Sequence, residues 1–176
     1  MVNHGVWMWA MPLAAIAGGT DWRSRRIPNW LTVPGLLIGI TANSVAGGWA
    51  GAKSSLLGAG LGLALLLPFV LARSLGAGDW KLVGALGAFL GPQRLLAVLF
   101  VSVLVAGLMA VILIVWKRRV WQTMRNLWQM LAAFAMFRLP GSEMSLDNPD
   151  AAKVPFGVAV AIATIAYTAP QVWSVL

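Results

Sequence analysis

The sequence predicts an all-α, polytopic membrane protein with six transmembrane helices and an additional amphipathic helix at the membrane interface. Hydrophobic residues make up 60% of the 176 positions and charged residues only 10%, with a mean hydropathy of +0.81. A soluble domain carries about 25% charged residues, so this composition indicates a lipid-embedded chain. The apolar residues form stretches that match the roughly 30 Å of hydrocarbon in a bilayer, and basic residues lie between alternate stretches.

Five of these apolar stretches are long enough, or nearly so, to cross a bilayer. They cover roughly residues 5–20, 31–50, 55–73, 95–116 and 154–175. A shorter stretch over residues 82–90 lies between Lys81 and the break Gly91-Pro92-Gln93-Arg94. The connecting loops are too short to bury a core of their own, so we predict one membrane-embedded domain over residues 1–176.

The distribution of charge decides whether the short stretch also crosses. With six crossings, loops 21–30, 73–81 and 117–153 share one side, which then holds every one of the thirteen basic residues except Lys53 and Arg94. With five crossings this segregation is lost, because loop 117–153 joins Lys53. The positive-inside rule therefore favours six helices in the plasma (inner) membrane, with the basic loops in the cytoplasm and both termini outside.

Two segments have alternative interpretations. Residues 1–20 could be a signal peptide, but they lack a basic amino-terminal region and their arginines follow the apolar stretch, so we predict a retained first helix. Residues 117–138 place apolar side chains at helical spacing, which predicts an amphipathic helix in the cytoplasmic interface; the alternative is an extension of the fifth helix. Tryptophans at predicted helix ends, including Trp22, Trp30 and Trp80, are typical of aromatic belts.

Several classes of chemistry are excluded by the residues that the chain lacks. It has no cysteine, which rules out thiol nucleophiles and cysteine-ligated metals, and its one histidine, His4, lies at the outer end of the first helix. No His-Glu-x-x-His or phosphate-binding glycine motif occurs, so we predict no metal and no cofactor. Basic residues at membrane edges, where they contact lipid, explain the net charge of +8, so no nucleic-acid partner is predicted.

The five carboxylates are the remaining candidates for catalysis. Glu143, Asp147 and Asp150 lie in a polar stretch where solvated side chains are expected. Asp21 and Asp79 instead fall at the cytoplasmic ends of the first and fourth predicted helices, at the same membrane depth. A carboxylate close to hydrocarbon is unfavourable, so such a residue indicates a function.

A pair of aspartates suits peptide hydrolysis without a metal or a histidine. When two carboxyls lie within hydrogen-bond reach, one keeps its proton and polarises the peptide carbonyl, while the other deprotonates a water molecule. Gly76 and Gly78 permit a close approach of the backbone to Asp79. The alternative for Asp21 is a salt bridge with one of the three arginines that follow it, or a helix cap.

Three motifs give the sequence a resemblance to the type IV prepilin leader peptidases, which are intramembrane aspartic peptidases. Gly76-Ala77-Gly78-Asp79 resembles the family's Gly-x-Gly-Asp motif. Asp21, followed by a basic loop and Ile27-Pro28-Asn29, is similar to its first aspartate motif, and Pro155-Phe156-Gly157 is similar to the start of its last helix. The resemblance implies that Asp21 and Asp79 are the catalytic pair. It assigns supporting roles to Gly76, Gly78, Lys81, Ile27, Pro28 and Asn29.

The resemblance further implies an endopeptidase that removes the short basic leader of a prepilin at the cytoplasmic membrane boundary, with prepilin and membrane lipids as its partners. The short chain is similar to the peptidases of tight-adherence (Flp) pilus systems, with archaeal preflagellin peptidases as an alternative. Larger members of the family methylate the new amino terminus and carry an additional cytoplasmic segment that contains cysteines. Because this chain has no cysteine and only a short first loop, methyl transfer is not expected. The alternative from another class is a non-enzymatic pilus-assembly scaffold or a proton-coupled carrier. The sequence leaves the oligomeric state open.

Overall fold

The computed structural model of the protein describes residues 5–72, 74–116, 128 and 155–173. Every regular element in these residues is helical, as the sequence predicts. The predicted interfacial helix over residues 117–138 lies outside them, apart from Trp128. A 3-10 turn leads into four helices: Val6–Trp9, then α1 (Ala10–Ser24), α2 (Asn29–Leu71), α3 (Ala77–Trp116) and α4 (Phe156–Trp173).

Helices α2 and α3 are each about twice as long as the hydrocarbon of a bilayer is thick. With 43 and 40 residues, straight helices would be about 65 and 60 Å long at a rise of about 1.5 Å per residue. Each bends sharply at a glycine with positive φ, Gly48 (57°) in α2 and Gly91 (73°) in α3. Glycine adopts these angles without a steric penalty, and because the backbone at each glycine is not helical, each long element consists of two helices that meet at a kink. The break predicted at residues 91–94 is confirmed at Gly91, whereas the break predicted between residues 50 and 55 lies slightly earlier, at Gly48. The bends divide each helix into two arms, which comprise residues 29–47 and 49–71 of α2, and residues 77–90 and 92–116 of α3.

The first arm of α3 packs between the two arms of α2. Gly39 in the first arm of α2 lies against Ala88. Gly58 in the second arm lies so close to Gly87 that a side chain at either glycine would collide with the backbone of the other. Residues 82–91 are all buried. Most of this arm, which is about 20 Å long, is therefore enclosed by other parts of the chain.

A hydrogen-bond network stabilises the bend of α3. Pro92 has no N–H, so the carbonyl of Ala88 loses the partner that an uninterrupted helix would give it. Two buried side chains of α2 replace that partner. Asn43 Nδ2 donates to Ala88 O at 2.7 Å, and Ser55 Oγ donates to the same oxygen at 2.6 Å. Because Asn43 and Ser55 belong to different arms, both arms of α2 are tied to one point of α3.

Loss of either side chain is expected to destabilise the protein. Asn43→Leu and Ser55→Ala should each lower the free energy of unfolding by about 0.5–2 kcal/mol, the range of interhelical hydrogen bonds in membrane proteins. Unfolding in detergent by heat or denaturant measures the change. Ser44→Ala is the matched control, because Ser44 Oγ donates to Ile40 O within its own helix. An equal loss in the control would contradict a special role for the network.

Helices α1 and α4 pack against each other in opposite directions. Gly18 of α1 lies against Ala161 of α4, and Asp21, about one turn further along α1, receives a hydrogen bond from Val158. Helix α4 also packs against α3. The end of α1, the start of α4 and the start of α3 therefore meet at one end of the bundle.

The outer surface of the bundle is apolar. Large hydrophobic side chains such as Phe100 (68% exposed) and Leu108 (63% exposed) cover the second arm of α3. By length and composition α2 and α3 can each cross a membrane, and Phe156–Pro170 is a shorter apolar helix. Exposed apolar surface of this extent is typical of a protein surrounded by lipid.

The tryptophans differ in their environments. Trp22 and Trp30 are exposed, in agreement with a place in an aromatic belt. Trp80 is half-buried, and its Nε1–H donates to the carbonyl oxygen of Leu63 at 2.7 Å. The indole of Trp80 therefore joins α3 to the second arm of α2, while its place in an aromatic belt stays a prediction.

Candidate active site

Asp21 lies in the last turn of α1 and is buried, with 6% of its surface exposed. Helix α1 ends after Ser24 because Arg25 adopts a left-handed conformation (φ 53°) and its N–H donates to the carbonyl oxygen of Asp21 at 2.9 Å. The chain then turns within four residues, and Pro28, in extended conformation, precedes the first turn of α2. The turn holds Asp21 at the end of the bundle.

Asp79 lies in the first turn of α3. The preceding residues fit closely around it: a Cβ on Gly76 would lie 3.0 Å from Asp79 Oδ2, and a Cβ on Gly78 would lie 3.1 Å from both Cβ and the carbonyl oxygen of Ile27. Ile27 is buried. The two glycines of the Gly-x-Gly-Asp motif thus allow the turn of α3 to pack against its own carboxylate and against the loop between α1 and α2.

The start of α4 supplies backbone N–H groups to this end of the bundle. Val158 N–H donates to Asp21 Oδ2 at 3.3 Å. The N–H of Gly157 interacts with the carboxyls of both Asp21 and Asp79. Gly157 has no space for a side chain, because a Cβ would lie 2.9 Å from Asp21 Oδ2 and 2.8 Å from Ile27 Cδ1. One backbone amide therefore faces two carboxyls that come from different helices.

The two aspartates lie close enough to interact electrostatically. They are the only acidic side chains within the described residues, and α1 and α3 bring both of them to the same point. Asp79 Oδ1 is buried, and no group in the described part of the chain forms a hydrogen bond with it. Two carboxyls therefore lie near each other, and among the described groups the buried Oδ1 of Asp79 is free to accept a hydrogen bond from a water molecule or a substrate.

The alternative roles predicted for Asp21, a salt bridge with a following arginine or a helix cap, explain only some of its contacts. Arg25 interacts electrostatically with Asp21, and the carbonyl of Asp21 accepts the hydrogen bond that caps α1. The carboxyl group itself is buried and accepts a hydrogen bond from the start of α4. Asp21 therefore interacts both with Arg25 and with the start of α4.

The supporting residues named from the motifs lie around the pair. Lys81 Nζ donates to Asn29 Oδ1 at 2.9 Å, which joins the second turn of α3 to the first residue of α2. Ile27 packs against both Gly78 and Gly157. No group of three side chains suited to metal binding occurs among the residues described, while His4, Glu143, Asp147 and Asp150 lie outside that part of the chain.

Gly157 and Val158 were not among the predicted site residues. Gly157 and Val158 contact the aspartates through their backbone N–H groups. Every residue except proline has such a group, so the residue types alone do not reveal these contacts. The available signal was Pro155-Phe156-Gly157, a break and a small residue at the start of an apolar helix. It marks a place where backbone approaches another group closely.

Comparison with known protein families shows which family the chain belongs to. The profile described as the type IV leader peptidase family matches residues 8–112, more than half of the chain. The chain belongs to this family. Comparison with curated proteins and with solved structures gives no significant match.

Membership in the type IV leader peptidase family confirms the resemblance inferred from the motifs and implies that the chain is a peptidase. The matched region of this leader peptidase family member contains both Asp21 and Asp79, and it ends before α4. The contacts made by Gly157 and Val158 come from outside the matched region.

Proposed function

We propose that this chain is a membrane-embedded aspartic endopeptidase that removes the short basic leader of a prepilin of the tight-adherence (Flp) type. The observation that carries the proposal is the meeting of Asp21 and Asp79, one from the end of α1 and one from the start of α3, at the amide of Gly157. Family membership supports peptidase activity in general. The carboxyl pair supports an aspartic mechanism in particular.

The proposed reaction needs only the two carboxyls, a water molecule and the peptide. The ionised aspartate takes a proton from water, and the resulting hydroxide adds to the carbonyl carbon of the scissile peptide while the protonated aspartate donates to the carbonyl oxygen. Collapse of the tetrahedral intermediate breaks the C–N bond, and the leaving amine takes a proton from an aspartate. The buried Oδ1 of Asp79 is suited to contact the water or the peptide, because no group within the described residues occupies it.

We propose six membrane crossings, formed by α1, the two arms of α2, the two arms of α3, and α4. The bends at Gly48 and Gly91 support this topology, because each divides a helix of about twice the bilayer thickness. The described basic residues support its orientation. Arg23, Arg25, Arg26 and Lys81 lie at the end of the bundle that holds the aspartates, whereas Lys53 and Arg94 lie near the bends. By the positive-inside rule, the aspartates then face the cytoplasm.

We propose cleavage without methyl transfer. The loop between α1 and α2 comprises only residues 25–28, shorter than the roughly ten residues expected from the sequence. A loop of this length cannot form an additional cytoplasmic domain, and the chain has no cysteines with which to bind a structural zinc. The product is expected to carry a free, unmethylated amino terminus.

Reconstitution of the purified chain with a candidate Flp-type prepilin tests the proposed function. The expected result is a product whose intact mass corresponds to loss of the leader after a glycine, formed equally well in the presence of a metal chelator. A parallel measurement of proton flux in the same liposomes tests the alternative of a carrier. Proton flux without cleavage of any Flp-type, other type IV or archaeal prepilin would overturn the peptidase proposal.

A further inference from the structure

A cleft of about 460 Å³ lies at the end of the bundle opposite the aspartates. Asp79 begins the first arm of α3 and Gly91 ends it, so about 18 Å of helix separates the two positions. The second arm of α2 forms one wall of the cleft, and the bend of α3 forms the other. Its polar lining consists of Lys53, Ser54, Gln93 and Arg94.

The cleft brings two cations together without an anion. Lys53 and Arg94 both line it, whereas both acidic residues in the described part of the chain lie at the opposite end of the bundle. Two like charges that share a cleft repel each other, and the repulsion increases as surrounding water is replaced by apolar groups. An anion bound between them would remove this repulsion.

Neighbouring groups hold one of the cations and keep the cleft open. The guanidinium of Arg94 lies 5.4 Å from the centre of the Trp7 ring, a cation–π contact, and Trp7 is buried with 5% of its surface exposed. The contact restrains the position of Arg94, whose guanidinium carries five N–H donors with which to bind an anion. At the bend, a Cβ on Gly91 would lie only 2.7 Å from Ser54 Oγ, so glycine preserves the space between the walls.

The apolar surroundings indicate the source of the anion. Leu57 and Leu90 line the cleft beside its polar groups. Exposed apolar side chains continue from it along the second arm of α2, with Leu56 53% and Leu57 54% exposed. A small anion would use only the polar groups, whereas a phospholipid would place its phosphate between the cations and its acyl chains along the apolar surface.

We propose that this cleft binds the headgroup phosphate of an anionic phospholipid. The location of the lipid in the outer leaflet rests on the topology in the proposed function, but the phosphate site does not require the chain to be a peptidase. Each basic residue near a membrane surface contributes about 1 kcal/mol to the binding of anionic lipid, which corresponds to about a fivefold change in affinity. Lys53→Gln is therefore expected to weaken binding about fivefold, and Lys53→Gln with Arg94→Gln is expected to weaken it further.

Native mass spectrometry of the purified full chain in neutral detergent tests the proposal. Phosphatidylglycerol and phosphatidylcholine with identical acyl chains are titrated separately, and inorganic phosphate is titrated as the free anion. We expect preferential retention of phosphatidylglycerol, reduced by Lys53→Gln and retained by Lys53→Arg. Arg26→Gln is the matched control, because it removes an exposed cation at the opposite end of the bundle.

Three results would overturn the proposal: equal retention of the two lipids, an equal loss with Arg26→Gln, or displacement of the lipid by millimolar inorganic phosphate. Thermal unfolding without added lipid checks that each variant is folded. Lys53 is exposed, so its replacement is expected to leave that unfolding temperature unchanged. Leader cleavage by the Lys53→Gln variant distinguishes the lipid-binding proposal from the peptidase proposal. Cleavage without selective lipid binding would contradict only the first, and lipid binding without cleavage would contradict only the second.

Discussion

Asp21→Asn and Asp79→Asn are each expected to reduce leader removal by at least about 10²- to 10⁴-fold, the contribution of a general acid or base. Asparagine has nearly the shape of aspartate, but it can neither take a proton from water nor exchange one with the leaving amine. Both carboxyls are needed, because the mechanism requires one ionised and one protonated group at the same time. Cleavage of a co-expressed prepilin, followed by its change in gel mobility, measures the effect.

The double variant distinguishes a catalytic pair from two independent residues. If Asp21 and Asp79 act as a unit, Asp21→Asn combined with Asp79→Asn should be little worse than either single variant. All variants must accumulate in the membrane at the level of the unmodified chain. Persistent cleavage in one single variant would remove that aspartate from the mechanism and favour the scaffold or carrier alternative.

Gly157→Ala is expected to reduce cleavage about 10- to 100-fold while both aspartates remain present. The added Cβ would lie 2.9 Å from Asp21 Oδ2 and 2.8 Å from Ile27 Cδ1. Either the start of α4 or the carboxyl of Asp21 must therefore move. A displacement of about 1 Å at a catalytic group can lower a rate about 10²-fold.

Gly19→Ala is the matched control for Gly157→Ala. Gly19 is also a helical glycine near the aspartates, but a Cβ there would meet nothing within 4 Å. The control should cleave at the normal rate and be as stable as the unmodified chain or slightly more stable, because alanine favours a helix. Equal activity of the two variants would show that the amide of Gly157 does not position the carboxyls.

The composition predicted the helical class, and the motifs predicted the candidate site residues, of which the structure brings Asp21 and Asp79 close enough to interact. Asp21 and Asp79 were identifiable because a carboxylate beside hydrocarbon is unfavourable without a function. The glycines around Asp79 were identifiable from their spacing in the motif. These signals are local, since each is contained in a few consecutive residues.

The details that the sequence did not supply depend on contacts between distant segments. The roles of Asn43 and Ser55 follow from the missing N–H of Pro92, but only the packing of α2 on α3 brings them to the carbonyl of Ala88. The break at Gly91 was predicted from Gly91-Pro92, whereas Gly48 fell inside the predicted stretch 31–50, because its neighbours are apolar or small and do not mark the end of a helix. The hydrogen bond from Trp80 to Leu63 was not predicted for a similar reason, since a helix-end tryptophan can face lipid or a neighbouring helix.

The proximity of Asp21 and Asp79 can be measured directly, because the chain contains no cysteine. Asp21→Cys combined with Asp79→Cys introduces two thiols and no competing ones. Oxidation in the membrane, or treatment with a short bifunctional thiol reagent, should join α1 to α3 and change the electrophoretic mobility. Asp21→Cys combined with Lys53→Cys, at the opposite end of the bundle, should not cross-link under the same conditions. Cross-linking of the first pair alone would support a catalytic pair formed by α1 and α3, and equal behaviour of the two pairs would contradict it.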